Sequence, residues 1–201
     1  MPVSPWLPFA AGAAVLGFAW VGPLPGLVHT SFTAHMVLHM TVVGLGVPLV
    51  AAGLVRARDW PEQRWPALTV AASLVDFAVV WIWHAPALHH ASRSDGAVLA
   101  LEQASFAAAA LLLWVTALTG PPLAGAMALF LTSMHMVLLG ALLGLAPRLL
   151  YVGHAEHGAG GMDGLADQQT GGVIMMALGG VIYFGAAMHR AARGLQAWAG
   201  R

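Results

Sequence analysis

His35 and His39 stand four residues apart, and Met36 and Met40 repeat that spacing one position later. On a helix, residues four apart lie on one face, one turn above the other. Imidazole nitrogen and thioether sulfur are ligand types that suit copper, so such a pair can chelate one ion. The pair opens an apolar run, where an ionisable side chain is costly to hide without a purpose. The bland alternative is two packing histidines bonded to neighbouring carbonyls.

Other polar groups punctuate the remaining apolar runs. His84, His89 and His90 close one of them, and His135 and Asp76 lie well inside two others. Glu102 and Gln103 come one to two turns into a run that starts at Ser94-Asp95-Gly96, a helix cap by residue type. Asp167-Gln168-Gln169 precedes a further run, with Met175 and Met176 about two turns on. Cysteine is absent, which removes disulfides, thiolate metal sites and covalent c-type haem attachment together. Soft-metal chemistry must then run on the ten His and ten Met. No nucleophile–base–orienter set, phosphate-binding glycine loop or HExxH arrangement is present, and a non-enzymatic role is expected.

The elements that must position these groups follow from composition. The 201 residues are 59% hydrophobic and only 8% charged. A soluble domain carries roughly 25% charged residues, so this is an integral membrane protein. Six runs are long enough to span as helices: roughly 6–22, 33–55, 66–85, 97–118, 124–146 and 169–190. Gly22-Pro23-Leu24-Pro25-Gly26, Pro86, Gly120-Pro121-Pro122 and Pro147 mark the breaks. The runs are continuous rather than alternating, which excludes a closed barrel. The fold expected is all-α, one polytopic bundle over 1–201. The N-terminus, with Pro2, Pro5 and Pro8 and no basic region, reads as the first span rather than a signal peptide.

Orientation rests on arginine, because there is no lysine. Arg56, Arg58, Arg64, Arg190, Arg193 and Arg201 fall on one side, against Arg93 and Arg148 on the other. The positive-inside rule then puts both termini in the cytoplasm. On that assignment His29, His35, His39, His84, His89, His90, His154 and His157 gather toward the outer face, and only His189 lies at the cytoplasmic end. His135 is deeper, about three turns before Pro147, and Asp76 at similar depth is its natural partner.

The expected metal ligands are therefore His35, His39, His84 and His135, holding Cu(I) or Cu(II); zinc would also accept imidazoles. Asp76, Glu102, Gln103, Asp167 and Gln168 would orient the rings, with His89, Met36, Met40 and Met175 in support. His154, Glu156, His157 and Asp163, in a glycine-rich stretch, read first as a solvated loop and second as a transient metal capture site. A second function class is a haem b cytochrome with two histidines, such as His39 and His135, as axial ligands. A third is an ion or proton carrier using Asp76, Glu102 and His135. Zero formal net charge gives no hint of nucleic acid. Gly140 and Gly144, with Gly171, Gly172, Gly179 and Gly180, suit internal packing and homo-oligomerisation equally. His-Met-Val-Leu at both 35–38 and 135–138 is a weak hint of an inverted repeat.

FTAHMVLHM at 32–40, WIWHAPALHH at 81–90, ALEQASF at 100–106, LTSMHMVLLGALL at 131–143 and ADQQTGGVIMM at 166–176 resemble, in order, the motifs of the bacterial CtaG-type cytochrome c oxidase assembly proteins associated with caa-type oxidases. The resemblance covers most of the chain from the second span to the sixth. It implies a multi-pass plasma-membrane protein needed to mature a haem–copper oxidase, handling copper for an oxidase subunit or another copper carrier. The family's histidines correspond to His35, His39, His84 and His135. One position departs: the motif in the fourth span usually reads Glu-His, where this chain has Glu102-Gln103.

Overall fold

The computed structural model describes residues 4, 6–58, 60, 65–151 and 163–200. It is all-helical, with no strand among the described residues. The helices are α1 (Trp6–Val21), α2 (Leu24–Leu27), α3 (Phe32–Met40), α4 (Val47–Ala57), α5 (Pro66–Trp83), α6 (Pro86–Ser94), α7 (Gly96–Thr119), α8 (Pro122–Gly144) and α9 (Gly164–Ala199). Six helical stretches are long and apolar enough to cross a membrane, as the apolar runs predict: Trp6–Leu27, Phe32–Ala57, Pro66–Trp83, Gly96–Thr119, Pro122–Gly144 and Gly164–Ala199.

Proline shapes the second of these. Between α3 and α4 the chain widens into a π-helical segment, Thr41–Gly46, and the Val47 amide donates to Val42 O, five residues back. Pro48 has no N–H to give and its ring would crowd the carbonyl four residues earlier, so a wider turn accommodates it. The span continues without a break.

The ends of the third and sixth spans differ from the apolar runs. α5 stops at Trp83 because Pro86 disfavours helix in the residue before it, and Ala85 is extended. A separate short helix, α6, follows and packs chiefly against α7. It is amphipathic, burying His89, Ser92 and Arg93. α9 starts earlier and ends later than 169–190. Asp163 caps it by accepting from Ala166 N, and residues such as Ala, Arg, Leu and Gln extend it past the apolar stretch. At 36 residues it is about 54 Å long, well beyond a hydrocarbon core of about 30 Å.

α8 and α9 pack at backbone contact. A Cβ added at Gly140 would lie 2.6 Å from Met176 N, and one at Gly172 would lie 2.4 Å from Gly144 N. The Gly140/Gly144 pattern thus serves internal packing in this chain. The core includes Phe32, Met36, Met40, Phe106, Leu113, Leu129, Met136, Met175 and Tyr183, all close to fully buried. Leu131, Leu138, Leu142 and Val181 point outward, as lipid-facing side chains should. Buried polar side chains lie inside this apolar shell, and His35, His84, His89, Arg93 and Glu102 are grouped where α6 packs.

Candidate metal centre

Construction of the site begins at the start of α3. Ser31 is its N-cap, accepting from Ala34 N, and the buried Asp167 carboxylate of α9 reaches the same turn. Asp167 Oδ2 accepts from Phe32 N at 2.6 Å, while Oδ1 accepts from Thr33 N and from the Ser31 hydroxyl. A carboxylate at a helix N-terminus complements both the free amides and the helix dipole. This clamp fixes α3 against α9, and with it the two histidines one and two turns further along.

His35 and His39 are fully buried, with parallel rings 6.5 Å apart between centroids. His84, the C-cap of α5, stands edge-on to both, at 5.9 Å from His35 and 5.6 Å from His39. His89 of α6 closes on His35 at 4.9 Å. Four imidazoles, two from α3, one from α6 and one from the C-cap of α5, thus meet in one buried cluster. Aromatic rings wall it: Phe106 lies 4.3 Å from His39, Phe32 5.2 Å from His89, and Tyr151 4.3 Å from His89. The Tyr151 hydroxyl donates to His84 O at 2.8 Å, and burial pushes its pKa up, keeping it a neutral donor.

Hydrogen bonding sets the tautomer of His84. Its Nδ1 donates to Val80 O at 2.7 Å, which leaves the Nε2 lone pair free. Nε2 is buried and has no hydrogen-bond partner among the described residues. A ring oriented by a carbonyl through one nitrogen, with the other left open, is the usual arrangement of a metal-binding histidine. Burial lowers the pKa of His84 to about 4 despite the Val80 contact, so the ring is neutral and competent to ligate. Both nitrogens of His39 and Nε2 of His35 are likewise buried without such a partner. Each orphaned polar atom costs about 1–3 kcal/mol, so the cluster is expensive unless something binds there. Two imidazoles on one ion place their centroids about 5 Å apart. The rings of His35, His39 and His84 stand 5.6–6.5 Å apart, somewhat wider than that value.

Glu102 of α7 is the cluster's carboxylate and is fully buried. It accepts from Ser92 Oγ at 2.9 Å, from Arg93 Nη2 at 2.9 Å and from Gln103 Nε2 at 3.3 Å. Arg93 Nη1 lies 2.6 Å from His35 Nδ1. Burial lowers the pKa of Arg93, and Glu102 acts in the opposite direction to keep it charged. One ligand atom each from His35, His89 and Glu102 falls within 4.8 Å of the others, close enough to share an ion.

The remaining expected residues take other places. His135 makes its near contacts with Asp76, 3.4 Å from Nε2 to Oδ2, and with Phe77. That is the pairing anticipated from their depths; His135 is also near enough to His39 and His84 to act on both electrostatically, and its Nδ1 is buried without a hydrogen-bond partner among the described residues. Met36 packs against Gly171, while Met40 reaches Gly44 and Gly179, on the side of α3 that meets α9. Met175 is buried in the core. Gln168 Oε1 accepts from Leu150 N, which ties the 145–151 segment to α9. Gln103 lines a mainly apolar cavity of about 490 Å³ with His29, Trp20 and Leu38, and its Oε1 is buried without a hydrogen-bond partner among the described residues. His90 and His189 are exposed. Asp163 serves as the cap of α9, whereas His154, Glu156 and His157 lie outside the described residues. Sequence reasoning missed Ser92, Arg93, Phe106 and Tyr151 as parts of the site. Arg93 carried a signal: it is a basic residue on the side of the chain where arginine is scarce.

Residues 1–196 match the family model described as cytochrome c oxidase caa3 assembly factor. The class is therefore that of membrane proteins that assist oxidase assembly. The chain belongs to the cytochrome c oxidase caa3 assembly factor family. Comparison with curated proteins and with solved structures gave no match.

Proposed function

We propose that this assembly factor binds copper at the His35–His39–His84–His89 cluster and presents it for metallation of a haem–copper oxidase. The observation that carries this reading is the set of buried imidazole nitrogens with no hydrogen-bond partner among the described residues, on His35, His39 and His84. Copper suits a cysteine-free imidazole set, with zinc as the competing ion. Copper here is cargo, held and passed on without a chemical step on a substrate, so the protein acts as a metal-handling chaperone and not as an enzyme. Six arginines against two favour a cytoplasmic location for both termini in a bacterial plasma membrane. The cluster then opens on the outer face. The recipient is an oxidase subunit or an intermediate copper carrier there.

Elemental analysis of the purified protein tests this. The expected result is bound copper that is lost in the double variant His39→Ala/His84→Ala. Unchanged copper stoichiometry in that variant would defeat the proposal. A visible spectrum of the same sample separates it from a bis-histidine cytochrome, because a Soret band would assign the imidazoles to haem instead.

A further inference from the structure

We propose that the Arg93 guanidinium occupies the position of a cation among His35, His89 and Glu102, and that a monovalent soft metal ion enters by exchanging with it. This rests on the copper-binding reading and names the ion's charge and the residue that it displaces.

Three features of Arg93 mark it as an exchangeable occupant. It contacts two of the three residues whose ligand atoms lie within 4.8 Å of one another, Glu102 at 2.9 Å and His35 at 2.6 Å. A guanidinium only donates, so His35 Nδ1 must accept from it. In the neutral ring the proton then sits on Nε2, which has no partner among the described residues. His35 is therefore held in a form that cannot ligate through either nitrogen until Arg93 leaves. The guanidinium is also incompletely satisfied, since its Nε is buried without a hydrogen-bond partner among the described residues.

The backbone allows the exchange. Arg93 is at the last turn of α6, followed by exposed Ser94, Asp95 and Gly96. His29 Nδ1 lies 2.6 Å from its carbonyl and anchors the main chain there. The side chain can swing into water while α6 stays in place.

Charge decides which ion enters. Glu102 supplies one negative charge, balanced by the one positive charge of Arg93. Replacing the guanidinium by Cu(I) conserves that balance. A divalent ion would leave an extra buried positive charge, which is strongly unfavourable away from water.

The test uses the purified full-length protein in detergent, with Ag(I) as a redox-inert monovalent soft probe and Zn(II) as the divalent one. Competition dialysis should show Ag(I) held more tightly than Zn(II). Arg93→Gln, which removes the competing charge, should hold Ag(I) about tenfold tighter, and Arg93→Lys should stay near the original. Unaltered or weakened Ag(I) binding in Arg93→Gln would overturn the exchange, and equal affinity for Zn(II) would overturn the charge rule. A measurement on the unsubstituted protein guards against a folding defect in the variant. Phenylglyoxal should leave Arg93 unmodified in the metal-free protein and label it after Ag(I) loading, read by peptide mass spectrometry. Continued protection with Ag(I) bound refutes the exchange while leaving metal binding intact. No Ag(I) or copper bound by any of these proteins removes both proposals together.

Discussion

Two carboxylates, Asp167 and Glu102, are both fully buried near α3, yet they are built for different purposes. Asp167 is satisfied by two backbone amides and a serine hydroxyl, donors that cannot leave without unravelling the helix start. Glu102 is satisfied by side chains alone, from Ser92, Arg93 and Gln103, and sits beside His35, whose Nε2 has no hydrogen-bond partner among the described residues. The first is a permanent joint between α3 and α9. The second is a site whose partners can be exchanged. Burial by itself does not distinguish them; the nature of the donors does.

The sharpest way to break the comparison is Glu102→Gln. It leaves the Arg93 guanidinium buried without its countercharge, and a loss of about 3–5 kcal/mol is expected, read as a lower Tm in detergent. Metal binding should fall with it. Asp167→Ala should cost about 3 kcal/mol through the three donors that it strands, again measured by thermal unfolding. A variant of that kind recovered in folded form should still bind copper, because the Asp167 carboxylate bonds to the start of α3 and, among the described residues, to no imidazole of the cluster. If Asp167→Ala abolishes copper binding in folded protein, the distinction drawn between the two carboxylates is wrong.

Acidification probes the cluster through His84. His84 titrates at about 4 in the folded protein against 6.5 ordinarily, so the folded state favours the neutral ring. Its stability contribution is fully present above about pH 6.5 and is lost progressively as pH falls toward 4, up to about 3 kcal/mol for the metal-free protein. His84→Gln should flatten that part of the pH–stability curve. The smallest effect expected is that of Tyr151→Phe, about 1 kcal/mol from the lost bond to His84 O, with copper stoichiometry unchanged.

Much of the architecture is legible in the residues. Apolar run length fixed the six spans because a backbone in hydrocarbon must satisfy itself, and helices are the solution for continuous runs. The four-residue spacing of His35 and His39 put them on successive turns, and the depths of Asp76 and His135 anticipated their contact. α6 was harder to see. Nine residues between Pro86 and Ser94 lack the length of a span, and the helix is stabilised by burying His89, Ser92 and Arg93 against the bundle. Packing around the expected ligands shows the same limit. Sequence spacing orders residues along one helix but says nothing about rotation between helices. That rotation turns Met36 and Met40 toward α9, keeps His135 beside Asp76, and brings His89 and Arg93 onto His35.

By itself, then, the sequence determined a cysteine-free, six-span helical membrane protein with its histidines gathered near one end, because hydropathy and residue type act locally along the chain. Which imidazoles meet, which carboxylate they share and which arginine stands among them were decided only by tertiary packing. Those contacts join residues as far apart as His35 and Arg93, 58 positions along the chain, and depend on side-chain directions that no local rule supplies.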